Sequence, residues 1–179
     1  MMDLRQKWQQ VGFALFNIVV THVPSHALRI GTLRAWGARI GEGSTVGRGS
    51  TVLDIHRLRI GTGCSLGFRC MLDARGGIDI GDDVALASDT HIITGQHLVH
   101  SDTFEAEFLP VTIGDHVWVA SRSTIVAGVH IGRGAVIGAC SLVREDVQER
   151  EIVAGVPARH RGERRSALAY TARYKRMFH

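Results

Sequence analysis

The sequence is poor in residues that interrupt a chain or cross-link it. Its 179 residues include only three prolines and three cysteines, and no tract is compositionally biased, which argues against a long disordered linker. An odd number of cysteines without a CxxC pair suggests neither a disulfide framework nor a metal site. We therefore expect Cys64, Cys70 and Cys140 to be small, reduced packing residues of a cytoplasmic protein.

A hydrophobic run long enough to cross a membrane is also missing. The most apolar stretch, residues 11–23, contains Asn17 and His22 and has about 13 residues, whereas a spanning helix needs ~20. The first ten residues include polar and charged ones, and no small-residue cleavage site follows the apolar run, unlike a secretory signal. The chain length suits one sizeable domain with short appendages.

What the sequence has instead is an apolar residue at every sixth position near its C-terminal end. The positions are Ile113, Val119, Ile125, Ile131, Ile137 and Val143, and Gly follows three of them directly. Neither a helix nor a single strand places all six side chains in one core. A solenoid with three short strands per triangular coil does so. Glycine is expected at its corners because it reaches positive φ without a steric penalty.

The same period begins earlier in the chain. Coils that start at Ile40, Ile60 and Ile80 are twenty residues apart, which indicates two extra residues at a corner, near 57–59 and 77–79. Coils from Ile113 and Ile131 bring the total to about five. One long loop, residues 94–112, interrupts the repeat, and its histidines and aromatic residues favour a functional role.

Two helices are predicted before the repeat. Leu4, Trp8, Val11, Leu15, Ile18 and His22 have helical spacing until Pro24, and Ser25 is a candidate N-cap for a second helix to about Trp36. We divide the chain into a helical segment (1–36), a solenoid domain (37–165) and a basic tail (166–179). The helices are expected to cover the solenoid's end or a neighbouring subunit, with association at a membrane surface as the weaker alternative.

Several segments resemble the hexapeptide-repeat acyltransferases, especially the maltose, galactoside and colanic-acid O-acetyltransferases. They are LDARGGIDIGDDV (72–84), TGQH (94–97), IGDHVWVAS (113–121), GVHIGRGAVIGACSLVREDV (128–147) and IVAGVPAR (152–159). The resemblance implies a mainly β fold, the left-handed parallel β-helix. It also implies acetyl-CoA as the donor and a homotrimer whose sites lie between subunits.

The resemblance identifies His97 of the TGQH motif as the general base. An imidazole titrates near neutral pH and can remove the proton from a hydroxyl as its oxygen attacks a thioester. His100 is the nearest competitor. On the acceptor side the resemblance implies Asp73 and Trp118, and Arg75, which lies beside Asp73 in the sequence, could contact an anionic sugar. Asp73 could equally satisfy backbone groups at a corner.

The resemblance also implies a CoA site that includes the basic residues after GVPAR. Its candidate residues are Ser121, Ala139, Arg144, Pro157, Arg159, Arg161 and Arg164. Small residues admit the pantetheine arm, and arginines suit the phosphates. The chain departs from the family where Glu145 replaces a lysine and where Gly162 replaces a basic residue.

These features predict a CoA-dependent O-acetyltransferase that acts on a sugar or polysaccharide precursor. An N-acyltransferase of a nucleotide-sugar or small molecule would use the same base and donor site, and a non-catalytic β-helix scaffold stays open. A zinc enzyme of the γ-carbonic anhydrase type is disfavoured, because no two histidines have the required separation. We expect no nucleic acid partner and no metal.

Overall fold

The N-terminal segment is helical, as predicted. The structure is a computed structural model that describes residues 3–173, so Lys175 and Arg176 of the predicted basic tail lie outside the described residues. Helix α1 (Leu4–Ala14) begins with a capping box in which Asp3 and Gln6 exchange hydrogen bonds of 2.7 and 3.0 Å. A π-helical turn (Leu15–Val19), a 3-10 turn (Val20–His22) and helix α2 (His26–Ala35) follow.

The rest of the chain forms three parallel sheets, which we call faces A, B and C. Face A contains β1 (Arg39–Ile40), β4 (Leu58–Ile60), β7 (Ile78–Ile80), β12 (Val111–Ile113) and β15 (His130–Ile131). Face B contains β2 (Thr45–Val46), β5 (Ser65–Leu66), β8 (Ala85–Leu86), β13 (Trp118–Val119), β16 (Val136–Ile137), β18 (Glu151–Ala154) and the antiparallel β19 (Arg159–Glu163). Face C contains β3 (Thr51–Leu53), β6 (Met71–Asp73), β9 (His91–Ile93), β14 (Thr124–Ile125) and β17 (Leu142–Val143).

The predicted fold class is confirmed: the chain is a left-handed parallel β-helix of five full coils and part of a sixth. The sixth coil consists of β18 and a bridge between Ile131 and Val147. Residues of the sixfold period pair in register from coil to coil, as Ile60 does with Ile40 and Ile80. Their side chains are buried and stack into one continuous apolar interior.

One local expectation needs correction. The extra residues of the first two coils lie at a 3-10 turn (Ile55–Arg57) and at residues 74–77, slightly before the predicted positions. Within the long loop, β10 (Gly95–His97) and β11 (Ala106–Phe108) form an antiparallel hairpin. This hairpin leaves the solenoid at the corner between faces C and A.

The predicted reason for the corner glycines is wrong. Gly47, which follows an aliphatic residue, does not have a positive φ. A Cβ atom there would lie 2.1 Å from the carbonyl oxygen of Gly67, so the residue is small because adjacent coils stack backbone on backbone. Positive φ occurs two residues later, at Gly49 (φ +76) and equivalent positions, and several of these hold other residues, such as Asp83 and His116.

The N-terminal segment packs against the first coil, which was one of the two predicted roles. Three of its polar side chains form hydrogen bonds with backbone groups at the open edge of that coil, one on each face. Arg34 Nε donates to Ile40 O (3.1 Å), Arg29 Nε donates to Val46 O (2.7 Å), and Asn17 pairs with both Val52 N (2.8 Å) and Val52 O (2.9 Å).

The described part of the tail, residues 166–173, returns along the corner between faces A and B, and we call it the C-terminal strap. Leu168 is buried against Gly134 of the fifth coil, and Arg173 lies against Gly43 of the first. From Leu168 to Arg173 the chain advances by five residues, which span about 17 Å when extended. The first and fifth coils are four strand spacings apart, roughly 19 Å. The strap thus runs nearly the length of the solenoid.

Candidate functional site

His97 lies at the end of β10, where the hairpin projects from the solenoid. Its Nδ1 atom is 2.9 Å from the carbonyl oxygen of Phe104, and its ring stacks on the Phe104 ring with centroids 4.1 Å apart. A carbonyl oxygen only accepts hydrogen bonds, so Nδ1 carries the proton in the neutral ring. The lone pair of Nε2 is then available to accept a proton from a substrate.

Asp73 and Arg75 lie below the hairpin, at the corner that follows β6. The Arg75 guanidinium forms a bidentate ion pair with the buried Asp73 carboxylate, with Nε–Oδ1 at 2.8 Å and Nη2–Oδ2 at 2.9 Å. Its carbon also lies 5.0 Å from the centre of the Phe108 ring in β11. Arg75 therefore connects the solenoid to the hairpin that carries His97.

Opposing effects act on the Asp73 carboxyl. Burial alone raises its pKa, but the hydrogen bonds and charge of Arg75, with a further hydrogen bond from the Gly95 backbone, outweigh burial. The net result is a pKa below the usual range of an aspartic acid. The hydrogen bond to Asp73 in turn raises the pKa of Arg75, so both groups are charged at neutral pH.

A groove of about 320 Å³ runs along face B and contains two of the predicted residues, Trp118 and Ser121. Trp118 is about half exposed. Small residues from successive coils line the groove, among them Gly47, Gly67, Ala85, Ala87 and Ser88. The groove is open enough for an extended ligand to approach the backbone closely.

Ser121 and Ala139 occupy the same corner, between faces B and C, in successive coils. The Cys140 N–H donates to Ser121 O at 3.0 Å and fixes their stacking. Ala139 and Cys140 are exposed there. The structure therefore brings two predicted CoA contacts together with Trp118.

A second pocket, of about 220 Å³, lies at the C-terminal end of the solenoid and includes Arg144 and Arg159. Arg159 forms an ion pair of 3.2 Å with Glu145, the residue that departs from the family pattern. Within residues 3–173, Arg144 and Arg161 make no side-chain hydrogen bond or ion pair, and both are exposed. Pro157 lies between β18 and β19.

Arg164 lies apart from the other predicted residues. Its guanidinium donates to His116 O at 2.8 Å and to the Tyr170 hydroxyl at 2.7 Å. These bonds anchor the C-terminal strap at the corner between faces A and B. A CoA contact of Arg164 stays a prediction, and in this chain the side chain is already engaged.

A single chain thus divides the predicted residues between separate corners. His97, Asp73 and Arg75 lie at the corner between faces C and A. Trp118 and Ser121 lie on face B and at the corner between faces B and C. A triangular coil keeps these corners apart, so one chain alone does not assemble the whole predicted set.

The cysteines follow the packing prediction in two of three cases. Cys64 and Cys70 are buried, and burial raises the pKa of each thiol to about 11. Cys140 is exposed, so the prediction is wrong there. Between residues 3 and 173, no group of three His, Cys, Asp or Glu side chains is arranged to hold a metal ion. No helix in that range is long and apolar enough to cross a membrane.

The aromatic residues of the loop have roles that the sequence did not predict. Phe104 supplies both the carbonyl and the ring that hold His97, and Phe108 covers Arg75. Their spacing from His97 carries no motif that reveals these contacts. Only the hairpin register, with His97 opposite Ala106, brings them into place.

Comparisons with known proteins agree with the repeat and the fold. Two family models match: "Bacterial transferase hexapeptide (six repeats)" over residues 110–145 and "Hexapeptide repeat of succinyl-transferase" over residues 57–88. Galactoside O-acetyltransferase of Escherichia coli (strain K12) is 39% identical over 85 residues, which are 46% of this chain and 42% of the relative. The chain therefore spans less than half the length of that relative.

Solved structures are similar over most of the chain. A maltose O-acetyltransferase from Clostridium difficile 630 has a TM-score of 0.78 and 25% identity, over 89% of this chain and 86% of the other. A galactoside acetyltransferase in complex with coenzyme A has a TM-score of 0.75 and 26% identity, over 89% and 80%.

Proposed function

We propose that this chain, a member of the hexapeptide-repeat acyltransferase family, transfers an acetyl group from acetyl-CoA to a hydroxyl of a sugar or polysaccharide precursor. The observation that carries the proposal is the hydrogen bond between His97 Nδ1 and Phe104 O, because it leaves Nε2 as the base. The galactoside and maltose acetyltransferases among its relatives support a sugar acceptor and a CoA donor.

The proposed reaction is a direct transfer. His97 Nε2 removes the proton of the acceptor hydroxyl as its oxygen attacks the thioester carbonyl carbon. The tetrahedral intermediate then expels the CoA sulfur, which receives the proton from the imidazolium. The products are an acetyl ester and CoA with a free thiol, and the ring returns to its neutral form.

The pair formed by Asp73 and Arg75 is proposed to orient the acceptor below His97. Its hydrogen bonds occupy Nε and Nη2 of the guanidinium, while Nη1 has no hydrogen bond within residues 3–173. That nitrogen is suited to donate to a hydroxyl or to an anionic group of the acceptor. The ion pair fixes the direction in which it points.

The groove on face B is proposed to hold the pantetheine arm of CoA beside Trp118, Ser121 and Ala139. The phosphates would then meet Arg144, Arg159 and Arg161 near the end of the solenoid. Since one chain keeps this donor side away from His97, the proposal includes a homotrimer in which the hairpin of one subunit faces the groove of the next. The complete site would form only between subunits.

Two measurements test this function. Calorimetric titration with CoA is expected to show about one site per chain, with weaker binding of dephospho-CoA because the 3′-phosphate contacts are lost. Absence of CoA binding would contradict the donor assignment.

Thiol release from acetyl-CoA with a panel of mono- and disaccharides is then expected to fall 10²- to 10⁴-fold, by order of magnitude, in His97→Gln. His100→Gln, on the same hairpin, is the matched control and should retain its rate. Equal rates for His97→Gln and the unmodified chain would reject His97 as the base.

A further inference from the structure

The N-terminal helical segment exposes an apolar stripe on the side turned away from the solenoid. Its members have the helical spacing noted in the sequence: Leu4, Trp8, Val11, Leu15 and Ile18. All five are exposed, and all but Leu15 are more than half exposed. These five side chains are therefore not the ones by which the segment covers the solenoid.

Other residues of the segment make the contact with the solenoid. Phe16 is completely buried, and Gly12 is so close to Trp36 that a Cβ atom would overlap its indole ring. Asn17 fixes the segment to the edge of β3 through Val52. Because these contacts fix the rotation of the segment about its axis, the apolar stripe faces outward in a defined orientation.

The charge near the apolar stripe is mainly positive, and the carboxylate of Asp3, which caps α1, is the exception. Residues 4–41 contain five Lys or Arg and no Asp or Glu, and Lys7 is exposed next to the stripe in the helix. Of the other basic residues, Arg29 is buried, the Arg34 guanidinium bonds to Ile40 O, and Arg39 of β1 is exposed. A stripe of Leu, Val, Ile and Trp beside cations has the chemistry of a helix that lies in the surface of an anionic bilayer.

We propose that the apolar stripe docks the protein onto an anionic lipid surface, with the helix lying parallel to the membrane plane. A second copy of the same segment fits less well, because pairing of two such segments would bring mostly like charges together. An anionic headgroup layer complements the cations, and the acyl boundary accepts the apolar side chains.

The position of the apolar stripe gives docking a consequence for the reaction. Gln9 and Phe13 of α1 line a groove of about 310 Å³ together with Arg75, the residue that supports the His97 hairpin. Docking would bring the acceptor side of the candidate site close to the lipid surface. This step rests on the proposed function and favours an acceptor presented at a membrane, whereas docking itself does not depend on it.

Co-flotation of the full chain with lipid vesicles tests the proposal. We expect binding to mixed phosphatidylcholine and phosphatidylglycerol vesicles and weaker binding to phosphatidylcholine alone. The triple variant Leu4→Gln/Val11→Gln/Ile18→Gln should lose at least about tenfold in affinity, since three apolar contacts are removed. Lys7→Gln should lose about fivefold for the anionic vesicles only.

The matched control is Val99→Gln/Val156→Gln, which replaces two exposed valines outside the apolar stripe and should bind like the unmodified chain. No binding of the unmodified chain to either vesicle, or full binding by the triple variant, would overturn the proposal. So would a lower oligomer mass of the triple variant by light scattering, with vesicle binding unchanged. CoA titration without vesicles tests the proposed function separately, so the two failures are distinguishable.

Discussion

The guanidinium of Arg75 closes over the carboxylate of Asp73 with two hydrogen bonds, of 2.8 and 2.9 Å. At the corner between faces B and C, Arg69 and Asp89 form an ion pair with the same two hydrogen-bond distances. The pairs differ in burial: the Asp73 side chain is 3% exposed, and that of Asp89 is 29% exposed. Because the two pairs have the same geometry, removing the arginine should lower the free energy of unfolding more at Asp73, where water cannot reach the carboxylate, than at Asp89.

Arg75→Met is expected to lower the free energy of unfolding by about 1–3 kcal/mol near neutral pH, because it leaves the Asp73 carboxylate buried without its cation. Urea unfolding measures the change. Arg69→Met is the matched control and should have a clearly smaller effect, since solvent screens that pair. Equal losses for the two variants would mean that burial of Asp73 contributes nothing.

The loss in Arg75→Met should also depend on pH. The pKa of Asp73 is lowered in the folded chain, so the pair contributes stability above the unfolded pKa of about 4, and this contribution disappears as the pH falls through the folded pKa. In Arg75→Met the hydrogen bonds and charge of the Arg75 side chain no longer lower the pKa of Asp73, which therefore rises. Unfolding curves of the two proteins should therefore converge in acid, and a constant difference at every pH would contradict this account.

Asn17→Ala is expected to reduce the free energy of unfolding by about 1–3 kcal/mol, because both backbone groups of Val52 lose their partner at the edge of β3. Thr21→Val removes one hydrogen bond, from Thr21 Oγ1 to Ser50 O, and should cost about 1 kcal/mol. Thermal or urea unfolding gives the order of the two. If Asn17→Ala left the free energy of unfolding unchanged, the bonds of Asn17 to the edge of β3 would not stabilise the first coil.

Two glycines ten residues apart should respond to alanine in opposite ways. A Cβ atom on Gly41 would lie 2.5 Å from the backbone of Gly61, so Gly41→Ala should destabilise by about 1–3 kcal/mol. Gly31, inside α2, has no atom from other parts of the described chain within 4 Å of such a Cβ, and Gly31→Ala should stabilise by about 0.5–1 kcal/mol through helix propensity. Urea unfolding checks both, and the same sign for both variants would contradict the explanation by coil stacking.

The solenoid was predictable because its signal is periodic. Ile113, Val119 and Ile125 each fit the same six-residue repeat, and the repeat predicts that their side chains are buried, as they are. The orientation of the N-terminal helix was not predictable in that way. Both of its sides carry apolar residues, and the contact chosen depends on Asn17 and Gly12, whose partners are distant in sequence.

The candidate site was predictable to the level of residue types and no further. The TGQH motif located His97, but the motif cannot show that Phe104 O sets the ring's tautomer, since that contact depends on hairpin register. Likewise, Arg164 belongs to the same basic cluster in sequence as Arg161. Only the path of the C-terminal strap shows that Arg164 is bound to His116 O and Arg161 is not.

Cys140 offers a direct probe of the proposed donor groove. It is exposed directly after Ala139, whereas Cys64 and Cys70 are buried with pKa values raised to about 11 by burial. Iodoacetamide should therefore label one thiol per folded chain, because the thiolate is the reacting form. Saturating CoA is expected to slow this labelling at least about tenfold by covering the corner that Ala139 and Ser121 share.

The control for Cys140 is Cys140→Ser, which should abolish rapid labelling and leave CoA binding measurable by calorimetry. Mass spectrometry of the labelled chain identifies the modified thiol. If CoA binds and Cys140 reacts at an unchanged rate, the pantetheine arm does not pass Ala139, and the donor must lie elsewhere on the solenoid. Protection of Cys140 by CoA and not by a sugar would place Cys140 beside the proposed donor and not beside the proposed acceptor.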